Sequence, residues 1–169
     1  MTYDDLPHLM RWGSDPDFRH YQWAQKPGVF AERNARAWIE RMSRPGESAC
    51  WVIEQEGRPI GFANYRDFHP KGKSAEVGIG IGEPDLWGKH LGRDALETLV
   101  RYLFDELGLH RVEANIQPGN ARSIALARRA GFTREGFSPR YLFLDGAWRD
   151  HERWALLADA RGAETEMTL

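Results

Sequence analysis

Residues 75–107 constrain the fold more tightly than any other part of the chain. A strand-like run at 75–82 leads into Gly78-Ile-Gly-Ile-Gly-Glu-Pro-Asp-Leu-Trp-Gly-Lys-His-Leu-Gly92. Apolar residues then recur at i+4 (Leu91, Ala95, Leu99, Leu103, Leu107), reinforced by Leu96, Val100 and Phe104, until Gly108. That is the pattern of a helix with one buried stripe. A strand, a glycine-rich loop and a strong helix in direct succession invite comparison with two phosphate-binding motifs. A dinucleotide fingerprint needs G-x-G-x-x-G at the helix start, but Gly80 and Gly82 lie before Pro84 and no such spacing follows. A P-loop needs four residues between its glycines and then Lys-Ser/Thr, whereas Gly82 and Gly88 are separated by five and Lys89 is followed by His90. Both fail on spacing.

The other elements follow from similar signals. Thr2 caps a first helix with Asp4 and Asp5 in its first turn and Gly13 near its end. A second helix is expected at 30–42, with Trp38, Ile39 and Met42 on one face and Pro45-Gly46 after it. Strands at 49–55 and 59–65 flank Glu56-Gly57 as a hairpin. Beyond Gly108, a short strand is expected at 112–116 and a helix from the cap Asn120 to Gly131. A last hairpin pairs 137–144 with 147–157 around Asp145-Gly146. The order ααβββαβαββ predicts an α/β fold of the α+β kind, a mixed sheet covered by helices.

Composition narrows the function classes. The 169 residues suffice for one domain, and no linker, repeat or low-complexity tract divides them, so 1–169 reads as a single domain. The net charge of −2 gives no global field for nucleic acid or anionic lipid, so neither is expected as a partner. A single cysteine, Cys50, excludes an internal disulfide or a cysteine-based zinc site, and no metal is expected. Without a long apolar run or a basic-apolar leader, the expected location is cytoplasmic.

The loop at 87–92 is chemically informative. Backbone N–H groups before a helix, unobstructed by bulky side chains and aided by the helix dipole, favour an anion, and Lys89 and Arg93 add charge beside them. A pyrophosphate fits there; a tight turn with nothing bound is the alternative. Asn120 and Ser123 stand at the cap and in the first turn of the next helix, where capping alone would account for both.

The strand at 75–82, the loop Trp87-Gly-Lys-His-Leu-Gly92, Asn120-x-x-Ser123 and Gly131-Phe-Thr-Arg-Glu-Gly136 occur in the order seen in the GNAT superfamily of N-acetyltransferases, which the chain resembles from Asp4 to Leu157. The stretches 114–123 and 141–151 resemble its RimJ/RimL branch, which acetylates N-terminal amino groups of ribosomal proteins. The resemblance implies acetyl-CoA as co-substrate and a mixed, mostly antiparallel sheet that splays at the third strand, with helices on both faces. Pantetheine would lie along Ile79, Gly80, Ile81 and Gly82. The pyrophosphate would meet the amides of Gly88, Lys89, His90, Leu91, Gly92 and Arg93. Asn120 would reach the pantetheine arm, and Ser123 would lie toward the thioester. Three departures stand out: His90 replaces a usual glycine, Ala127 replaces the tyrosine that serves many relatives as general acid, and this sequence starts almost at the first helix where relatives begin with a strand, so that either the sequence is truncated or that strand is dispensable.

The implied reaction needs a neutral amine, donors for a developing oxyanion and a proton for the leaving thiolate. An α-amine with a pKa of about 8 asks less of its base than a lysine or polyamine nitrogen at about 10. Backbone N–H groups near Ile79–Ile81 would serve the oxyanion. Glu76, the carboxylate within the third strand, is the candidate base, against the alternative of a solvent-facing edge residue. Ser123 and Tyr141 compete to protonate the thiolate. Asp150 and His151, adjacent on a strand, point to opposite faces and read as structural. Trp38 and Trp51 are expected in the core, while Trp12 and Trp23 are candidates to line the acceptor cleft. The expected acceptor is a protein N-terminal amine. A small amine (polyamine, amino acid or aminoglycoside) and a non-catalytic acyl-CoA-binding module are the alternatives, and a homodimer is compatible with each.

Overall fold

The computed structural model describes residues 1–18, 32–144 and 146–161. Its elements are α1 (Leu6–Ser14), α2 (Glu32–Met42), β1 (Ala49–Gln55), β2 (Arg58–His69), β3 (Ser74–Ile81), α3 (Leu91–Arg101), β4 (Arg111–Ile116), α4 (Ala121–Arg129), β5 (Thr133–Leu144) and β6 (Ala147–Leu157). A 3₁₀ turn at Tyr3–Asp5 leads into α1. It is closed by a reciprocal cap in which the Thr2 hydroxyl accepts from the Asp4 amide and the Asp5 carboxylate accepts from the Thr2 amide.

The six strands form one sheet in the order β1-β2-β3-β4-β6-β5. Every neighbouring pair is antiparallel except β3–β4, so the sheet is mixed and mostly antiparallel, as expected. Glu56 and Gly57 both take positive φ, the backbone that a tight hairpin turn between right-twisted strands requires. Alternation along β2 divides the core. Phe62 packs with α1 and α2 through Leu9, Trp12, Ala35, Ile39 and Met42, while Ala63 and Tyr65 face the opposite cluster. That cluster buries Leu96, Leu99, Val100 and Leu103 of the α3 segment with Ala127 of α4, so helices cover both faces.

Several expectations shift. The helix after the glycine loop is regular only to Arg101 and closes through a π turn at Tyr102–Glu106, with the Leu107 amide donating to the Tyr102 carbonyl at 3.1 Å. The extra residue in that turn rotates Leu107 off the buried stripe, and it is exposed. β5 begins at Thr133 rather than 137. Trp51 is not core: it stands exposed on β1, in edge contact with Tyr102 at 5.4 Å. Trp12 is not a cleft residue: it is 1% exposed, and its indole N–H donates to Glu83 at 3.0 Å. Trp23, Phe30 and Asp145 lie outside the described residues. No helix among the described residues is long and apolar enough to cross a membrane.

Candidate active site

The site originates where two strands part. β3 and β4 pair only over Ser74–Glu76 against Arg111–Glu113, and past Glu76 β3 continues with β2 alone. The Gly82 amide donates to the Ile60 carbonyl at 2.8 Å, so alternation turns the peptide groups of Ile79 and Ile81 the other way, into the opening. The indole of Trp87 confirms the direction: its N–H donates to the Ile81 carbonyl at 2.8 Å.

A groove of about 290 Å³ runs from this opening, lined by Ile79, Ile81, Trp87, Gly88, His90, Leu91, Gly92, Arg93, Asn120, Arg122, Ser123 and Leu126. Gly88 and His90 take positive φ of 79° and 64°, which coils the loop tightly into the start of α3. The amides of residues 88–92 donate none of the backbone hydrogen bonds among the described residues, whereas those of Arg93 and Asp94 donate to the His90 carbonyl at 3.0 Å. Free N–H groups at a helix N-terminus form a site for an anion such as a pyrophosphate. Arg93 lines it while paired with Glu97 at 2.6 Å, and Arg122 stacks over Trp87 at 3.9 Å.

A second cavity of about 290 Å³ lies beyond the opening and shares Ile79, Asn120, Ser123 and Leu126 with the groove. Its polar wall carries Asn64, Arg66, Glu76, Asn115, Tyr141 and His151. Glu76 is buried and ion-paired with Arg66, its cross-strand partner. Burial raises its carboxyl pKa, while the Arg66 charge and a hydrogen bond from Asn115 oppose the rise. The Tyr141 hydroxyl accepts from Asn115 Nδ2 at 3.4 Å, and burial followed by the Glu76 charge pushes its phenol pKa up. The Tyr141 ring lies 5.2 Å from that of His151, which is 5% exposed and whose Nδ1 is buried without a hydrogen-bond partner. Burial lowers the His151 pKa, against a backbone hydrogen bond with Arg149 and the Asp150 charge, which oppose the fall. The Asn120 side chain accepts from the Ser123 amide at 3.1 Å, capping α4 at the junction of the cavities.

The fold thus gathers Ile79, Ile81, Gly88, His90, Leu91, Gly92, Arg93, Asn120 and Ser123 along the groove, and Glu76 and Tyr141 in the adjoining cavity. Three expected cofactor residues stand apart. Lys89 is exposed and does not line the groove. Gly80 and Gly82 turn their Cα hydrogens to the α1 face: a Cβ at Gly80 would meet Phe62 at 2.9 Å, and one at Gly82 would meet Trp12 at 2.2 Å. Those glycines admit aromatic rings to the sheet. Arg66, Asn115 and His151 are site residues that sequence reasoning did not single out for the cleft. Arg66 faces Glu76 through the hairpin register, and a histidine one residue from the middle of the expected strand 147–157 was the visible signal for the third. Among the described residues no three His, Cys, Asp or Glu side chains gather to hold a metal ion.

Residues 1–133 match the family described as Acetyltransferase (GNAT) domain. The chain is 40% identical over 103 residues to the [ribosomal protein uS5]-alanine N-acetyltransferase of Escherichia coli, covering 57% of this chain and 50% of that one. It is 33% identical over 130 residues to the L-methionine sulfoximine/L-methionine sulfone acetyltransferase of Pseudomonas aeruginosa, covering 76% and 74%. The spermidine N-acetyltransferase of Vibrio cholerae, solved in complex with CoA and spermine, shares the fold with a TM-score of 0.81 at 20% identity, covering 95% and 94%. The chain spans half or less of the length of some curated relatives that it matches.

Proposed function

The chain belongs to the GNAT acetyltransferase family, and from that premise we propose that it moves the acetyl group of acetyl-CoA to a primary amine, with the N-terminal amino group of a ribosomal protein as leading acceptor. The observation that carries this reading is the junction at Ile79, Asn120, Ser123 and Leu126, where an anion-accepting groove opens into a polar cleft. When bound, acetyl-CoA supplies an acyl carbon activated as a thioester. The groove fits its charged portion: the amides of 88–92 receive the pyrophosphate, with Arg93 and Arg122 beside them. The peptide groups of Ile79 and Ile81 face the pantetheine arm, and a backbone N–H there stabilises the oxyanion.

Glu76 removes the proton from the acceptor ammonium through a water molecule, with Arg66 holding the carboxylate ionised against its burial. Tyr141 delivers the proton to the thiolate. Its raised pKa keeps the phenol protonated at neutral pH. Ser123, at the junction, hydrogen-bonds near the thioester sulfur. Ala127, at the helix position where many relatives carry a tyrosine, lines the same cavity as Tyr141, so the hydroxyl enters from β5 instead of α4.

The match to the uS5-alanine acetyltransferase supports a protein α-amine as acceptor. The Pseudomonas aeruginosa relative supports a second reading, a small amine such as an amino acid derivative. Radiolabelled acetyl-CoA, incubated with the protein and a bacterial extract, separates them. Label in a small basic protein with a blocked N-terminus is the expected result; label in the small-molecule fraction favours the second. Bound acetyl-CoA with no label in either fraction overturns the enzymatic reading and leaves an acyl-CoA-binding module.

A further inference from the structure

The last hairpin leaves its regular ladder at one place. Ser138 pairs with His151 and Leu142 with Arg149, so residues 139–141 of β5 stand opposite Asp150 alone. Arg140 takes a left-handed φ of 52°, unusual for a side chain of its size, and its amide donates to Asp150 Oδ1 at 2.7 Å. The bulge has a specific consequence. β5 is hydrogen-bonded to β6 and not to β4, yet the Tyr141 hydroxyl reaches Asn115 of β4 and its ring meets the imidazole of His151. A residue in an unbroken ladder stands perpendicular to the sheet; Tyr141 instead reaches across β6 to the acceptor cleft.

Asp150 and His151 point to opposite faces of β6, and each meets this one bulge. Asp150 ties down its backbone from one side. His151, 5% exposed, gives the phenol a ring to rest on at the other. We propose that Asp150 and His151 are positioning residues for Tyr141: Asp150 pins the bulge that carries the phenol across β6, and His151 is the buried wall that holds it over the acceptor cleft. This rests on the reading that Tyr141 delivers the thiolate proton. The charged groups near the phenol are Glu76 and Arg66 across the cleft, with Asp67 and Glu113 further out.

Two measurements on the full chain test it. With acetyl-CoA and an alanine-terminated tetrapeptide as probe, Asp150→Ala lowers kcat at least tenfold while KM for acetyl-CoA stays within twofold. Asp150→Asn, which keeps an oxygen for the Arg140 amide, restores kcat to within threefold of wild type. His151→Ala behaves as Asp150→Ala, and His151→Phe, which keeps the ring and removes the unpartnered nitrogen, retains activity. Asp150→Ala added to Tyr141→Phe costs nothing further; an equal loss in both backgrounds overturns the proposal. The second measurement needs no acceptor. In protein carrying ¹³Cζ-tyrosine, the Tyr141 resonance, assigned with Tyr141→Phe, titrates above the ordinary phenol value of about 10. It falls toward that value in Asp150→Ala and His151→Ala, and an unchanged midpoint in both folded variants overturns the proposal. If Tyr141→Phe keeps wild-type kcat, the proton-delivery reading fails, and the titration alone then decides whether the phenol is held as proposed.

Discussion

Gly92 offers a perturbation in which stability and ligand affinity move in opposite directions. It is the second residue of α3 and lines the groove, and its backbone lies outside the left-handed region. A Cβ added there meets Ile81 Cγ1 at 3.7 Å and Leu126 Cδ2 at 3.8 Å, ordinary van der Waals distances, so the folded chain accepts it without strain. Replacing glycine by alanine in a helix stabilises by about 0.5–1 kcal/mol. For a chain of this size each kcal/mol shifts Tm by about 2–4 °C, so Gly92→Ala melts about 1–4 °C higher than wild type. The same methyl stands between two groove-lining side chains, where a pyrophosphate must come within hydrogen-bonding distance of the amides. We expect at least a tenfold rise in the Kd for acetyl-CoA, about 1.4 kcal/mol or more. Calorimetric melting paired with acetyl-CoA titration reads both effects on one sample. A variant that melts at or above the wild-type temperature and binds acetyl-CoA with unchanged affinity would refute the assignment of this groove.

Gly82 gives the opposite result. Its added Cβ would lie 2.2 Å from the fully buried Trp12, so Gly82→Ala destabilises by about 1–3 kcal/mol or more in urea unfolding, and a wild-type midpoint would contradict the packing described. Glu83 accepts from Arg11, Arg58 and Trp12, and the Arg11 hydrogen bond holds its carboxyl pKa below the ordinary 4.5. Its pairing therefore contributes stability above about pH 4.5 that is lost as the pH falls through the lowered native value. The stability difference between wild type and Glu83→Ala should accordingly be full at pH 7 and shrink in strong acid; a difference independent of pH over that range argues against the pairing. Burial raises the Glu76 pKa above its ordinary 4.5, so the acid limb of kcat/KM lies above pH 4.5 and disappears in Glu76→Gln, and a variant that keeps the limb assigns the base elsewhere.

Which features were legible in the sequence depended on the range of the interaction that makes them. The stripe through Leu96, Leu99 and Val100 and the turn at Glu56-Gly57 are local, and both stand where the pattern puts them, the helix as far as Arg101, where the π turn begins. The undonated amides at 88–92 were legible for the same reason, since amides ahead of a helix need no distant partner. The role of Gly82 was not, because its reason is Trp12, seventy positions earlier in the chain and on another layer. Trp51 was misread because β1 is an edge strand: opposite Ala63, it points to the α3 side of the sheet but stands at the margin, against Tyr65 and Tyr102 and open to solvent, a fact of strand order that spacing does not carry.

The cleft shows the same limit more sharply. Asp150 and His151 do face opposite ways, as adjacent strand residues must, and from that their separation into structural roles followed. What alternation along one strand cannot reveal is that three residues of the neighbouring strand stand opposite Asp150 alone. The sequence did hold a sign of it: Pro139 lies inside the expected strand, and a residue without an N–H belongs at an edge or in a bulge. A proline there, followed by Arg140 with a left-handed backbone, moves Tyr141 out of register and across to β4. The tyrosine that the helix lacks at Ala127 is thus matched in the same cavity by one that only the irregularity of β5 can deliver. A chain identical at every site residue but with a regular ladder through 138–142 would place that phenol elsewhere, so the bulge, more than the residue types, decides where the hydroxyl stands.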